Sequence, residues 1–182
     1  MFKVFLTYLI LIIFPTKGFS ELRIDITRGN TEPIPVALVK FETKNGTENK
    51  ISLDIKKVIS NNLQRSGLFT MLPKTVFLTE TLNFDAKPSF SDWKITTAQG
   101  LIHGNLSVSG EKLNLKFRLW DVFSEKQMVA QQLTTETNNW RRIAHVISDI
   151  IYKRITGESG YFDSRIVYIS ESGPKNNRKK RL

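Results

Sequence analysis

The sequence contains no cysteine and only two histidines, and these scarcities exclude several classes of site. Without cysteine, the chain can form no disulfide and offers no thiol nucleophile or thiolate metal ligand. An exported protein of this size therefore depends on packing alone. His103 and His145 have no second histidine at ligand spacing, which argues against a metal site.

Motifs of covalent and phosphoryl-transfer chemistry are also absent. The sequence has neither the Gly-x-Ser-x-Gly element of serine hydrolases nor a glycine-rich phosphate-binding loop. Asp54, Asp121 and Asp149 fit turns or solvated helix positions better than paired catalytic acids. The sequence therefore predicts a protein that is not an enzyme, with no catalytic residue, cofactor or metal. A hydrolase that uses His103 or His145 is the enzymatic alternative.

The one markedly apolar run is too short to cross a bilayer. It covers Val4 to Phe14, about eleven residues against the roughly twenty that a membrane-spanning helix needs. Lys3 gives it a basic start, and Gly18-Phe19-Ser20 supplies the small residues that a signal peptidase requires. This pattern predicts a cleavable signal peptide over residues 1–20 and an exported protein.

The excess of positive over negative charge is small in the body of the chain, although the net charge of the whole sequence is +10. Two basic residues lie in the predicted signal peptide and five in the last eight residues, which leaves +3 for residues 21–174. A nucleic-acid-binding protein would carry its excess as a basic face with aromatic stacking positions. The distribution argues against nucleic acid as the partner of the folded body.

An alternating segment begins directly after the predicted cleavage site. Leu22, Ile24 and Ile26 would lie on one face of an extended strand, with charged or polar residues on the other. Such a strand can pair with an edge of its own sheet or with a partner's sheet, and the two states can alternate. The candidate partner-binding residues are Glu21, Leu22, Arg23, Ile24, Asp25, Ile26 and Thr27.

The remaining pattern predicts an α/β (α+β) fold, a two-layer sandwich in which two helices cover one face of a mixed sheet. Apolar spacing predicts helices around Ile55–Leu63 and Ile143–Ile155, the second capped by Asn138 or Asn139 and ended by Gly157. Strict alternation predicts that Leu113–Leu119 has one dry face, with Trp120 on the wet face. Strands are expected at Ile34–Phe41, Leu68–Leu72, Gly100–Val108, Lys112–Asp121 and Gln127–Thr134.

The last segment predicts the start of another domain. Asp163–Ser170 has strand character, and Gly173–Leu182 has the composition of a hairpin loop that enters a second strand. The expected organisation is a signal peptide over 1–20, an α/β domain over 21–160, and the beginning of a truncated β-rich domain over 161–182.

Four blocks of residues resemble, in the same order, the amino-terminal part of the TolB family. The most specific block joins the second long helix, its Thr156-Gly157 stop and the Arg165–Tyr168 segment. The blocks are Glu21–Ile26, Pro35–Val39, Leu63–Phe69, and Trp140–Gly157 with Gly160–Tyr168.

The resemblance implies a periplasmic component of the Tol-Pal system without enzymatic activity, active in outer-membrane invagination during cell division. It also implies that a six-bladed β-propeller follows the α/β domain and binds the lipoprotein Pal. The segment after the signal peptide would bind the carboxy-terminal domain of TolA, so Glu21–Thr27 would be the TolA-binding residues here. Contact with Pal is expected only where the propeller is present.

A binder of another class remains as the alternative. Lys175–Arg181 is strongly basic and could contact nucleic acid or anionic lipid. Trp140 with Arg141 and Arg142 could form a basic aromatic patch, although a tryptophan in the first turn of a helix is more often a packing residue.

Overall fold

The computed structural model describes residue 22, residues 32–165 and residues 167–181. The first part of the chain contains β1 (Ile34–Leu38), α1 (Gly46–Arg65), β2 (Phe69–Met71) and α2 (Phe90–Ile95). The second part contains β3 (Gly100–Ser109), β4 (Lys112–Asp121), β5 (Lys126–Glu136), α3 (Trp140–Thr156), β6 (Ser170–Ser172) and β7 (Lys179–Arg181).

Strands β1 to β5 form one mixed sheet in the order β2-β1-β3-β4-β5. β1 is parallel to both β2 and β3, whereas β3, β4 and β5 form an antiparallel meander. The β3–β4 pairing runs from Gly100 opposite Asp121 to Ser109 opposite Lys112. The predicted mixed sheet with helices is confirmed.

Helices α1 and α3 cover one face of the sheet, and their apolar stripes form the main core with it. The side chain of Asn45 caps α1 by accepting the Glu48 N–H at 2.9 Å. Gly157 ends α3 with φ of 83°, a left-handed conformation that glycine adopts without strain. The fully buried side chains of this core include Phe41, Ile55, Ile59, Leu63, Leu106, Leu115, Phe117, Ile147 and Ile151.

The opposite face of the sheet carries a second apolar cluster, which the sequence pattern did not predict. The short helix α2 packs Phe90 and Trp93 against this face, where Trp120 is only 7% exposed. The prediction that Trp120 lies on a wet face is therefore wrong. Alternation reports the face on which a side chain lies, and a helix distant in sequence decides whether that face is covered.

The chain leaves this body through a tightly packed exit. Phe162 is buried in the main core and contacts the Tyr152 ring of α3 edge to face, with centroids 5.8 Å apart. The two carboxylate oxygens of Asp149 accept the N–H groups of Phe162 and Asp163 at 2.8 and 3.0 Å. A Cβ at Gly160 would overlap Asp149, so glycine permits this close approach.

Two further sequence predictions need correction. The predicted strand Asp163–Ser170 is wrong, because the strand begins only at Ser170, and β6 pairs with β7 as a short antiparallel hairpin. Asn139 occupies the position before α3 but its side chain makes no capping hydrogen bond. A 3₁₀ turn over Thr137–Asn139 leads into the helix instead. The predicted propeller and domain boundaries stay predictions.

Candidate partner-binding site

Leu22 is the one residue of the predicted binding segment Glu21–Thr27 that lies within the described part of the chain. Its backbone N–H donates to Oδ2 of Asp121 at 3.0 Å. Its side chain is half-buried and packs against the main core. The other six residues of the predicted segment lie outside the described residues. Leu22 is thus attached to the body through Asp121, a residue 99 positions later in the sequence.

Asp121, the last residue of β4, organises this attachment. It is 3% exposed, and its Oδ1 accepts the N–H groups of Phe123 and Ser124 at 2.9 and 3.1 Å. The prediction that Asp121 is a turn residue agrees with these two contacts. The contact to Leu22 could not be found from sequence, because an aspartate that starts a turn carries no sign of a distant partner.

An open groove of about 710 Å³ begins at Leu22 and runs between β5 and the last turns of α3. Met128 and Val129 of β5 and Ile150 of α3 give it apolar walls. The Arg154 Nε donates to the Met128 carbonyl oxygen at 3.0 Å and joins the two walls. Lys153 and Arg154 add positive charge at the carboxyl end of α3, where the helix dipole is negative.

β5 is the terminal strand in the order of the described sheet. A terminal strand has backbone donors and acceptors on one side that another strand can pair with. The groove therefore lies beside a strand edge, and the two features together suit an extended apolar segment. This juxtaposition was not predicted, since it depends on where α3 packs against β5.

The two histidines have structural surroundings. His103 is fully buried, and its Nε2 accepts the Trp120 indole N–H at 2.9 Å. Burial, and after it the positive charge of Arg118, lowers the pKa of His103 to about 4. The His145 Nδ1 lies 2.9 Å from the Asn62 amide nitrogen at the α1–α3 contact. Burial is also the main cause that lowers the pKa of His145.

The two histidines do not belong to a metal-binding cluster among the described residues. Within the part of the chain that the structure describes, no group of three His, Cys, Asp or Glu side chains could hold a metal ion. Asp149 binds backbone N–H groups of the chain exit, and His103 and His145 lie on different elements with different partners. His103 and His145 thus belong to two separate packing contacts.

The basic tail, on which the alternative function rests, forms the exposed hairpin β6–β7. The Glu171 carboxylate of β6 forms ion pairs with Arg178 at 2.8 Å and with Lys180 at 3.2 Å, so part of the positive charge of the tail is paired locally.

The basic aromatic patch proposed at the start of α3 has a packing role. The Arg141 guanidinium lies 4.8 Å from the Trp140 ring centroid, and Trp140 packs against the main core. Trp140 is thus a packing residue, as sequence position favours.

Comparison with known proteins decides the family. The profile of the TolB amino-terminal domain matches residues 22–128, more than half of the chain. This chain belongs to the TolB family. The Tol-Pal system protein TolB of Pelagibacter ubique is 44% identical over 96% of this chain and 41% of its own length. That of Paramagnetospirillum magneticum is 43% identical over 100% of this chain and 40% of its own.

The chain spans about two fifths of the length of these TolB relatives. Among solved structures, TolB from Acinetobacter baumannii superposes with a TM-score of 0.63 and covers 82% of this chain and 35% of that one. At 23% identity this likeness establishes the fold. None of the helices that the structure describes combines the length and apolar character of a membrane-spanning helix.

Proposed function

We propose that this chain acts in the periplasm as the TolA-binding part of a Tol-Pal system component. Family membership supports the role in the Tol-Pal system. The charged start, apolar middle and small-residue end of residues 1–20 support export through a cleavable signal peptide. In this proposal the chain binds and positions partners and catalyses no reaction.

The TolA-binding residues in this proposal are Glu21–Thr27. The observation that carries the proposal is the attachment of Leu22, which is half-buried and, among the described residues, makes one backbone hydrogen bond, to Asp121. A single hydrogen bond contributes only about 0.5–1.5 kcal/mol, or 1.5–3 kcal/mol to a charged acceptor. A contact of this size at Leu22 can be released to a partner at small cost.

Capture of an extended strand fits the alternation of the segment. Backbone hydrogen bonds to a TolA sheet edge would supply affinity, and Leu22, Ile24 and Ile26 would set the register. The same side chains would return to the body when TolA is absent. Contact with Pal, and with it the link to the outer membrane during division, is assigned to the propeller that the resemblance implies.

Two deletions test the proposal on the chain processed after residue 20. Removal of residues 21–27 should abolish binding of the purified TolA carboxy-terminal domain, measured by isothermal titration calorimetry. Removal of residues 175–182 serves as the matched control and should leave TolA binding unchanged. TolA binding that survives the first deletion at full strength would overturn the proposal. Loss of binding to nucleic acid or anionic vesicles only in the second deletion would favour the basic-tail alternative.

A further inference from the structure

A pocket of about 270 Å³ lies where one side of α1 meets the segments that follow β1 and β2. Three lysines from separate parts of the chain border it: Lys40 after β1, Lys56 on α1, and Lys74 at the start of a 3₁₀ turn after β2. Among the ion pairs of the described residues, none involves these three ammonium groups. Three cations therefore border one concave site without a directly paired carboxylate.

The walls of this lysine pocket are fixed by contacts that do not involve the lysine ammonium groups. Phe77 packs edge to face on Trp93 of the second apolar cluster, with ring centroids 5.3 Å apart. The Phe77 N–H donates to the Lys74 carbonyl oxygen at 3.1 Å. The Lys40 N–H donates to the Glu80 carbonyl oxygen at 3.2 Å. The pocket is thus preorganised, which lowers the entropic cost of binding a ligand.

The charges of the lysine pocket are unbalanced. Lys56 is half-buried and its Nζ lies 5.8 Å from the Phe77 ring centroid. Burial lowers the pKa of Lys56, the neighbouring Lys74 and Lys40 lower it further, and Glu80 opposes them. Three lysines and one glutamate leave a local charge of two, which a dianion would neutralise. A phosphate monoester carries about −1.5 to −2 at neutral pH, and lysine is a frequent phosphate ligand.

The rim of the pocket offers contacts for a group attached to such an anion. Leu53 is 49% exposed there and adds apolar surface beside the lysines. Asn49 also lines the pocket, and its Oδ1 is buried without a hydrogen-bond partner among the described atoms. The pocket therefore pairs positive charge with an apolar wall.

We propose that the lysine pocket is a binding site for a small phosphate-bearing ligand. The phosphate oxygens would accept from Lys40, Lys56 and Lys74, and the attached group would contact Leu53 and Phe77. A soluble phosphate monoester and the headgroup of phosphatidic acid share this chemistry. None of the residues that line the pocket lines the groove beside Leu22, so this binding is separate from TolA capture.

The test compares two charge-matched double variants of the full chain. Lys56→Gln with Lys74→Gln removes two cations from the pocket, whereas Lys112→Gln with Lys116→Gln removes two exposed cations from β4. Glycerol phosphate is titrated calorimetrically, and vesicles of phosphatidylcholine with and without phosphatidic acid are tested by co-sedimentation. We expect saturable binding by the parent chain and about a tenfold loss for the pocket variant only, the effect of losing charge-assisted hydrogen bonds.

Each result decides for or against the lysine pocket. Saturable binding of glycerol phosphate that only the pocket variant weakens supports it with a soluble ligand. Binding only to phosphatidic acid vesicles, again weakened only in the pocket variant, supports it with a lipid ligand. The absence of saturable binding to either probe, or the same affinity in both double variants, would overturn it. Circular dichroism checks folding; if the pocket variant unfolds, Lys74→Gln alone replaces it, because Lys74 is exposed and lies outside the long helices.

Discussion

Leu22 lies before the sheet and helices of this domain in sequence, and Phe162 and Asp163 lie after α3. Both sites contact the body of the domain, and the two attachments differ in strength. At Leu22, one backbone hydrogen bond and a half-buried side chain make the contact. At Phe162 and Asp163, the contact consists of a buried aromatic ring, two backbone hydrogen bonds donated to the Asp149 carboxylate and an Arg142–Asp163 ion pair of 3.2 Å. The first attachment is what the proposed exchange between body and partner requires. The second fixes the path of the chain after α3.

The largest expected effect falls on the fixed attachment. Phe162→Ala should lower the free energy of unfolding by about 3–5 kcal/mol, because it empties a buried aromatic site in the main core. Urea unfolding followed by circular dichroism measures this. Tyr168→Ala is the control, since Tyr168 is 75% exposed, and its effect should stay within about 0.5 kcal/mol. Equal effects would mean that the exit is not anchored as described.

Low pH should lower the free energy of unfolding of the domain to which both segments attach. The pKa of His103 is about 4 in the folded chain, whereas an unfolded chain binds the proton at the ordinary value near 6.5. The contribution of neutral His103 to the free energy of unfolding is therefore fully present above about pH 6.5. It falls by up to about 3 kcal/mol as the pH drops to 4. Urea unfolding between pH 4 and 7 should show this slope, and His103→Gln should flatten it. A slope that His103→Gln leaves unchanged would assign the loss to other groups.

A matched pair of aspartates separates the two attachments directly. Asp149→Ala and Asp121→Ala each remove an acceptor of two loop N–H groups, so each should cost about 1–3 kcal/mol of stability. Only Asp121→Ala also releases Leu22. If docking competes with capture, this variant should bind TolA at least about tenfold more tightly, because one hydrogen bond to a carboxylate contributes about 1.5–3 kcal/mol. An unchanged TolA affinity would contradict that competition.

The smallest stability effect is expected at Leu22 itself. Leu22→Ala removes a half-buried side chain and should cost about 1 kcal/mol, less than half of the effect at Phe162. Thermal unfolding of both variants in one buffer gives the comparison. A loss at Leu22 as large as that at Phe162 would show that the amino-terminal segment is a structural part of the body.

The sequence predicted those features that depend on neighbours along the chain. The strands β3 and β4 follow from the local pattern of apolar residues, and the end of α3 follows from Gly157. Features that join distant segments were missed. Trp120 is buried because α2 crosses its face, and Leu22 reaches Asp121 because β4 ends beside it. The groove between β5 and α3 was missed for the same reason.

The central claim is that the apolar face of Glu21–Thr27 binds TolA, and two triple variants of the processed chain test it most directly. One replaces Leu22, Ile24 and Ile26 with serine, and the other replaces Glu21, Arg23 and Asp25 with serine. Calorimetric titration with the TolA carboxy-terminal domain should show binding lost in the first and weakened only severalfold in the second. Equal affinities in the two variants, or a greater loss in the second, would contradict the claim.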